Sequence, residues 1–232
     1  NLYAALSRKF GLLTEELFWR YWILTKGRGS AIGLDELLDP QRPFNPAYVD
    51  YLLEQKRETY RVLDVGSGPL THLGSAHPTL RIQVVASDFL AGRYNRILAS
   101  HGITPPNKTV LADAENLCDV FPRSSFDFVV ANNSLDHCTN PLRAIEQIVE
   151  VLAPGSFAIL RHRENEAVRA RYQGLHQWNF STDEGQPTLW NPRERIQLSD
   201  HFCGQADLRV LPEKEHIVIE LHKCAIAPGE GT

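Results

Sequence analysis

Between Arg61 and Arg161 short apolar runs alternate with helix-patterned stretches, and no other feature of the 232 residues constrains the fold as much. The runs at 61–65, 82–87, 108–112, 126–131 and 157–161 are strand-length and rich in Val, Ile, Phe, Leu and Ala. Apolar residues on successive positions suit strands buried on both faces. The segments between them, 70–76, 91–101, 116–120 and 141–152, read as helices or, for 116–120, a short turn. Strand and helix in alternation predict a parallel sheet with helices on both sides. The last of these helices is expected to stop at Ala153-Pro154-Gly155, where Pro and Gly end a helix sharply. Beyond residue 205 the pattern becomes two-fold. Ile217, Ile219 and Leu221 alternate with Val218, Glu220 and His222, and 206–211 supplies a partner across Pro212-Glu213-Lys214. A hairpin closing the sheet is the simplest account.

The first 56 residues have a different texture. Leu6, Phe10, Leu13, Leu17, Tyr21 and Leu24 recur three or four apart, which predicts an amphipathic helix ending near Gly27-Arg28-Gly29. Phe18, Trp19 and Trp22 widen its apolar surface, so burial on more than one side is expected. A loop rich in Pro and Asp follows, then a second helix over 47–56. The expected organisation is a helical cap or lid over 1–56 on an α/β domain over 57–232.

Composition removes several function classes. A net charge of −4 gives no electrostatic footprint for nucleic acid, which calls for clustered Lys and Arg. Cys118, Cys138, Cys203 and Cys224 are far apart and form no pair at zinc spacing. No apolar run approaches the ~18 residues of a membrane span, and a signal-peptide pattern is missing. A cytoplasmic protein with a small-molecule partner, no metal, no nucleic acid and no membrane is the expectation; a homodimer is left open.

The densest signal is Arg61-Val62-Leu63-Asp64-Val65-Gly66-Ser67-Gly68-Pro69-Leu70. Gly66 and Gly68 stand where a strand is expected to pass into a helix, so backbone can turn tightly and a ligand can approach without a Cβ in the way. A dinucleotide fingerprint needs a third glycine where Thr71 stands, and no Gly-Lys-Ser/Thr closes a P-loop. Asp64 argues further against phosphate: a carboxylate beside the turn repels it and attracts an ammonium group. S-adenosylmethionine has that ammonium, a sulfonium and a ribose diol, and no phosphate. Asp88 ends the second strand, where an acid accepts both ribose hydroxyls, and Phe89 beside it suits the adenine face. Asp113, with Ala114 and Glu115, is placed to meet the adenine amino edge.

With these residues in view, 61–161 resembles the core of class I S-adenosylmethionine-dependent methyltransferases. VLDVGSGPL resembles the first motif of that family, ASDFL the second, LADAENL the adenine-contacting loop, FDFVVANNSLDH the fourth motif, and VLAPGSFAIL the strand after the last helix. The resemblance implies a doubly wound, mostly parallel seven-stranded sheet with an antiparallel last strand. It also implies S-adenosylmethionine held by Asp64, Gly66, Ser67, Gly68, Asp88, Phe89, Asp113, Ala114, Glu115 and Asn132. Leu70 and Ser156 depart from it, each standing where many members have glycine.

Methyl transfer from a sulfonium is an in-line displacement in a dry pocket, and a hydroxyl acceptor also gains from a base. His137, following Asp136 in NNSLDH, is the first candidate and His176 the second. Asn133, Gln177 and Trp178 are candidate acceptor contacts, the last two from GLHQWNF, a mixture that suits a polar metabolite or saccharide. Asn132-Asn133-Ser134-Leu135 lacks the Asp/Asn-Pro-Pro-aromatic turn of enzymes that methylate base amino groups, and Arg161-His162-Arg163-Glu164 lacks the Asp-Asn pair of metal-dependent catechol-type enzymes. Methylation at a hydroxyl oxygen of a small polar metabolite or saccharide is the expectation, with no metal. Amine methylation and a non-catalytic binding domain are the alternatives within this fold; a nicotinamide oxidoreductase is the alternative outside the family.

Overall fold

The computed structural model describes residues 2–225, with side chains from Lys9 onward. Ten strands run in chain order: β1 Thr59–Val65, β2 Arg81–Asp88, β3 Val110–Leu111, β4 Phe126–Asn132, β5 Leu152–Arg163, β6 Asn179–Asp183, β7 Gln186–Trp190, β8 Arg195–Gln197, β9 Ala206–Leu211 and β10 His216–Lys223. The helices are α1 Leu2–Leu24, α2 Leu34–Leu37, α3 Val49–Leu53, α4 Ala91–Ser100, α5 Pro141–Val151, α6 Glu166–Arg169 and α7 Leu198–His201.

Seven strands form one sheet in the order β3-β2-β1-β4-β5-β10-β9. The strands from β3 to β5 are parallel, and β10 is antiparallel to both β5 and β9. This is the mostly parallel sheet closed by a hairpin that the apolar runs predict. Its centre is dry: Phe126, Phe128, Val129 and Ala131 of β4 are inaccessible to solvent. α5 shows why its segment is helical. Asn140 accepts a hydrogen bond from the Arg143 amide at 3.1 Å, Pro141 opens the first turn, and Ala144, Ile145 and Ile148 face the sheet. The helix ends at Val151, earlier than expected, because Leu152 is already extended and pairs with Phe126. Pro154 and Gly155 then lie in an irregular stretch of β5.

Two expectations are corrected. Residues 70–76 form no helix. Phe44 and Asn45 donate backbone hydrogen bonds to Ala76 and Leu73, at 2.8 and 2.7 Å, and Pro43 bridges Ala76 in parallel. Gly74 has φ +68, and a Cβ there would lie 2.1 Å from the Pro43 carbonyl oxygen. With Pro69 and Pro78 on either side, the segment satisfies its backbone against the preceding loop instead of within a helix. The second correction concerns α1. Phe10, Leu13, Leu17, Tyr21 and Leu24, the stripe taken for its core face, are half to two-thirds exposed. Leu12, Trp19, Trp22 and Ile23 on the other side pack on Tyr94, Ile97 and Leu98 of α4. Leu6 lies outside the described side chains.

The antiparallel sheet β6-β7-β8 is an addition to the seven-stranded plan. Its Phe180 and Leu189, with Trp178, Leu198 and Phe202, extend the core beside α5. The second predicted helix is shorter than expected, α3 following a turn of 3₁₀ helix at Pro46–Tyr48.

Candidate functional site

A cavity of about 330 Å³ opens over the C-terminal ends of β1, β2 and β4. The glycine turn forms one wall. Gly66 and Gly68 have φ of +71 and +67, a region where a side chain is strained. A Cβ on Gly66 would lie 2.2 Å from Ser134 Cβ, and one on Gly68 2.8 Å from the Trp19 ring. The turn is held from both sides, since Ser134 Oγ donates to the Val65 carbonyl at 2.9 Å and the Gly66 and Ser67 amides donate to Ser87.

Asp88 locks the turn as well. Its carboxylate accepts from the Gly68 amide at 3.0 Å and the Leu90 amide at 2.7 Å. Burial nevertheless raises its pKa to about 6, against the pull of those two amides. Asp64 is buried beneath the turn and accepts from the Thr71 hydroxyl at 2.6 Å. Burial lifts it to about 6 too, the Thr71 bond opposing this and the Asp88 charge adding to it. Asp113 caps the 3₁₀ turn over Ala114–Asp119 through the Glu115 amide at 3.0 Å, and Glu115 accepts from the Thr139 amide at 2.6 Å.

α1 lies over this cavity. Leu12, Glu15 and Trp19 line it, Trp19 donates to Glu15 at 2.9 Å, and Glu16 pairs with Arg93 of α4 at 3.0 Å. Gly11 lets the helix approach Leu175, which lines the cavity from the opposite side. The lining therefore carries five carboxyl groups, on Glu15, Asp64, Asp88, Asp113 and Glu115, and among the described residues no Lys or Arg. Such a wall repels a pyrophosphate and attracts a ligand with positive charge and hydroxyl donors. The irregular chain after the turn points the same way, because no helix N-terminus is aimed at the cavity from there to hold a phosphate. The buried Asp64 beneath the glycine turn and the half-buried Asp88 beside it, with Phe89 half-exposed at the rim, fit the ammonium, diol and adenine of S-adenosylmethionine.

A family profile described as a methyltransferase domain matches residues 63–160. Residues 63–160 are thus a methyltransferase domain. A ubiquinone/menaquinone biosynthesis C-methyltransferase from Coxiella burnetii is 33% identical over 109 residues, 45% of this chain and 43% of that protein. The chain thus matches less than half the length of that curated relative. Among solved structures, a putative S-adenosylmethionine-dependent methyltransferase from Methanococcus maripaludis superposes with a TM-score of 0.50 at 16% identity, covering 82% of this chain and 89% of its own. One from Methanosarcina mazei gives 0.49 at 19% identity, covering 78% and 99%. The first of these likenesses speaks for the fold alone.

Every residue predicted for the cofactor lines the cavity: Asp64, Gly66, Ser67, Gly68, Asp88, Phe89, Asp113, Ala114, Glu115 and Asn132. Asn133 and His137 line it too. Behind His137 lies a buried cluster. Asp136 is 4% exposed, and its Oδ2 is 2.7 Å from His176 Nδ1 and 3.7 Å from His137 Nε2. His162 Nδ1 lies 3.9 Å from its other oxygen, with the ring stacked on Phe180. Burial works against the Asp136 carboxylate but is outweighed by His137, the His176 bond and His162, which together hold its pKa at about 2. The Asp136 hydrogen bond raises His176, while burial drives His162 down to about 4. Donor atoms of Asp136, His137 and His176 lie within 4.8 Å of one another, close enough to share a cation, and a 2.7 Å hydrogen bond joins two of them instead.

Gln177 and Trp178 are not brought to the cavity. Gln177 is exposed and ties its own loop through the Tyr172 and Gly174 carbonyls, whereas Trp178 is buried and donates to the Thr139 carbonyl. A Trp among polar residues has the same local sequence whether it anchors a loop or plates a ligand. Trp19, Glu15, Tyr48 and His72 line the cavity without having been singled out for it. All of them come from segments outside the strand–turn motifs, so spacing carries no signal for them.

Proposed function

We propose that this chain transfers the methyl group of S-adenosylmethionine to a small acceptor whose hydroxyl loses its proton to His137, and that the product is a methyl ether of a polar metabolite or saccharide. When bound, the cofactor supplies an electrophilic methyl on a positively charged sulfur. The five carboxyl groups of the lining favour that charge, and the Asp88 and Asp64 carboxylates accept from its hydroxyl and ammonium groups. α1 shields the cavity from water, which strengthens these interactions and disfavours hydrolysis.

One observation carries the acceptor half: His137 is at the cavity wall with a buried, ionised carboxylate behind it. A negative charge there stabilises the imidazolium formed when His137 takes a proton, and His176 holds that carboxylate in place. A second reading is carbon methylation, favoured by the name of the curated relative. Removing the proton of a phenol or enol makes the neighbouring carbon nucleophilic, so the same three residues serve it. Acceptor screening with S-adenosylmethionine bearing a ¹³C methyl separates the two. An ether methyl and a carbon-bound methyl differ widely in chemical shift. The proposal fails if S-adenosylhomocysteine does not bind in calorimetry, or if it binds an Asp88→Ala variant equally well. His137→Gln retaining full turnover refutes the assigned base.

A further inference from the structure

α1 is apolar on two opposite faces, and among the described residues only one of them is packed against other elements. Leu12, Trp19, Trp22 and Ile23 are packed over α4, whereas Phe10, Leu13, Leu17, Phe18, Tyr21 and Leu24 are 50–66% exposed. Six large side chains in that state leave roughly 600 Å² of contiguous apolar surface, at the upper end of what a monomer carries. A surface of this kind calls for a partner, and the order of its residues says which. Phe10, Leu13, Leu17, Tyr21 and Leu24 are separated by three, four, four and three residues, so the stripe reads the same in both directions about Leu17.

We infer that this face pairs with a second copy of the same chain, α1 against α1 in antiparallel register, with a two-fold axis passing at Leu17. The axis sets Phe10 against the partner's Leu24 and Leu13 against the partner's Tyr21, with Leu17 meeting its own copy. Each contact then occurs twice, as an isologous interface requires. Charge agrees with this register. Lys9 and Arg20, which flank the stripe, fall opposite Thr25 and Thr14, and Glu16, already held by Arg20 and Arg93, falls opposite Phe18, so no like charges meet along the stripe itself, and the sequence puts the first like pair, Arg8 and Lys26, just beyond its ends. Covering the stripe on both copies removes on the order of 1,000 Å² from water, about the size a specific interface must reach. The opposite side of the same helix places Leu12, Glu15 and Trp19 over the cavity, so pairing also braces the cavity roof.

Sedimentation of the full chain, with Leu17→Glu and Leu17→Lys variants run separately and mixed, tests this. Leu17 is exposed and lies outside the cavity lining, so neither change removes a core contact. The wild type is expected at twice the 26.2 kDa of one chain, each variant alone at 26.2 kDa, and the equal mixture back at the doubled mass, because Glu then meets Lys on the axis. Rescue by mixing cannot arise from misfolding. A wild type that stays monomeric at its highest soluble concentration overturns the inference, as does a dimer unaffected by Leu17→Glu or a mixture that remains monomeric. Flotation with vesicles of anionic phospholipid is run beside it; a monomer that floats with them assigns the face to a membrane surface and overturns the pairing.

Discussion

Replacing Gly66 by Ala tests whether the glycine turn is built by close approach. The new Cβ would sit 2.2 Å from Ser134 Cβ, more than an ångström inside ordinary contact, at a φ of +71. The left-handed conformation costs about 1–2 kcal/mol for a residue with a side chain. Relieving the overlap costs about 1–3 kcal/mol more. The sum, roughly 2–5 kcal/mol, corresponds to a fall in Tm of roughly 5–15 °C for a chain of this length. Denaturant unfolding of Gly66→Ala, Ser134→Gly and the double variant separates the two costs. Ser134→Gly alone loses the 2.9 Å bond to the Val65 carbonyl, about 1 kcal/mol. In the double variant the overlap is gone and only the backbone cost and the lost hydrogen bond remain, so a favourable coupling of about 1–3 kcal/mol is expected. Gly66→Ala within ~0.5 kcal/mol of wild type, the level of an ordinary surface change, refutes the close-approach argument. Additive single variants refute the pairing of Gly66 with Ser134.

Asp136→Asn keeps the shape of the cluster and removes its charge; turnover is expected to fall about 10²–10⁴-fold with little change in cofactor affinity, measured by initial rates and calorimetry. The native Asp136 carboxyl lies near 2, below its ordinary 3.8, so its stabilising contribution is present above 3.8 and lost as pH falls through about 2. Unfolding curves of wild type and Asp136→Asn should therefore differ less at pH 2 than at pH 7. Asp64 and Asp88 carry the opposite sign: with native values near 6 they hold protons that the unfolded chain has lost, so their contribution to stability declines as pH rises from about 4 to about 6. On the proposed function cofactor binding draws on the ionised carboxylates and should weaken as pH drops below 6, and S-adenosylhomocysteine titrations at pH 5 and 8 measure it. Trp19→Ala opens the roof above Gly68 and is expected to raise KM for the cofactor about tenfold or more while leaving the sheet intact by circular dichroism.

The parallel sheet was legible because each buried strand is a run of apolar residues whose position along the chain is itself the topology. The acidic cavity wall was legible for a related reason: in such a sheet the residues at the C-terminal end of each strand fall at one edge, so Asp64, Asp88 and Asp113 had to converge. The burial of α1 was misread because periodicity reports an apolar face and not what covers it. Its strongest stripe faces outward and a weaker one, built on two Trp, faces the body. The helix expected at 70–76 failed on a non-local bond set, since the loop at 42–45 supplies partners that no window around Leu70 contains. The sheet β6-β7-β8 did leave a mark. Glu184 and Gly185 have φ of +50 and +80, the two left-handed residues of a tight hairpin, and they separate two five-residue strands at Asp183-Glu184-Gly185-Gln186. That hairpin bears on the acceptor chemistry, because Phe180 of β6 is the surface on which the His162 ring stacks. Seated there, the neutral His162 closes the buried side of Asp136 and leaves the carboxylate's charge directed at His137 and His176. The inserted sheet therefore seats His162 beside Asp136, so that His137 and the His176 bond must offset the burial it adds, a contact that only the folded chain displays.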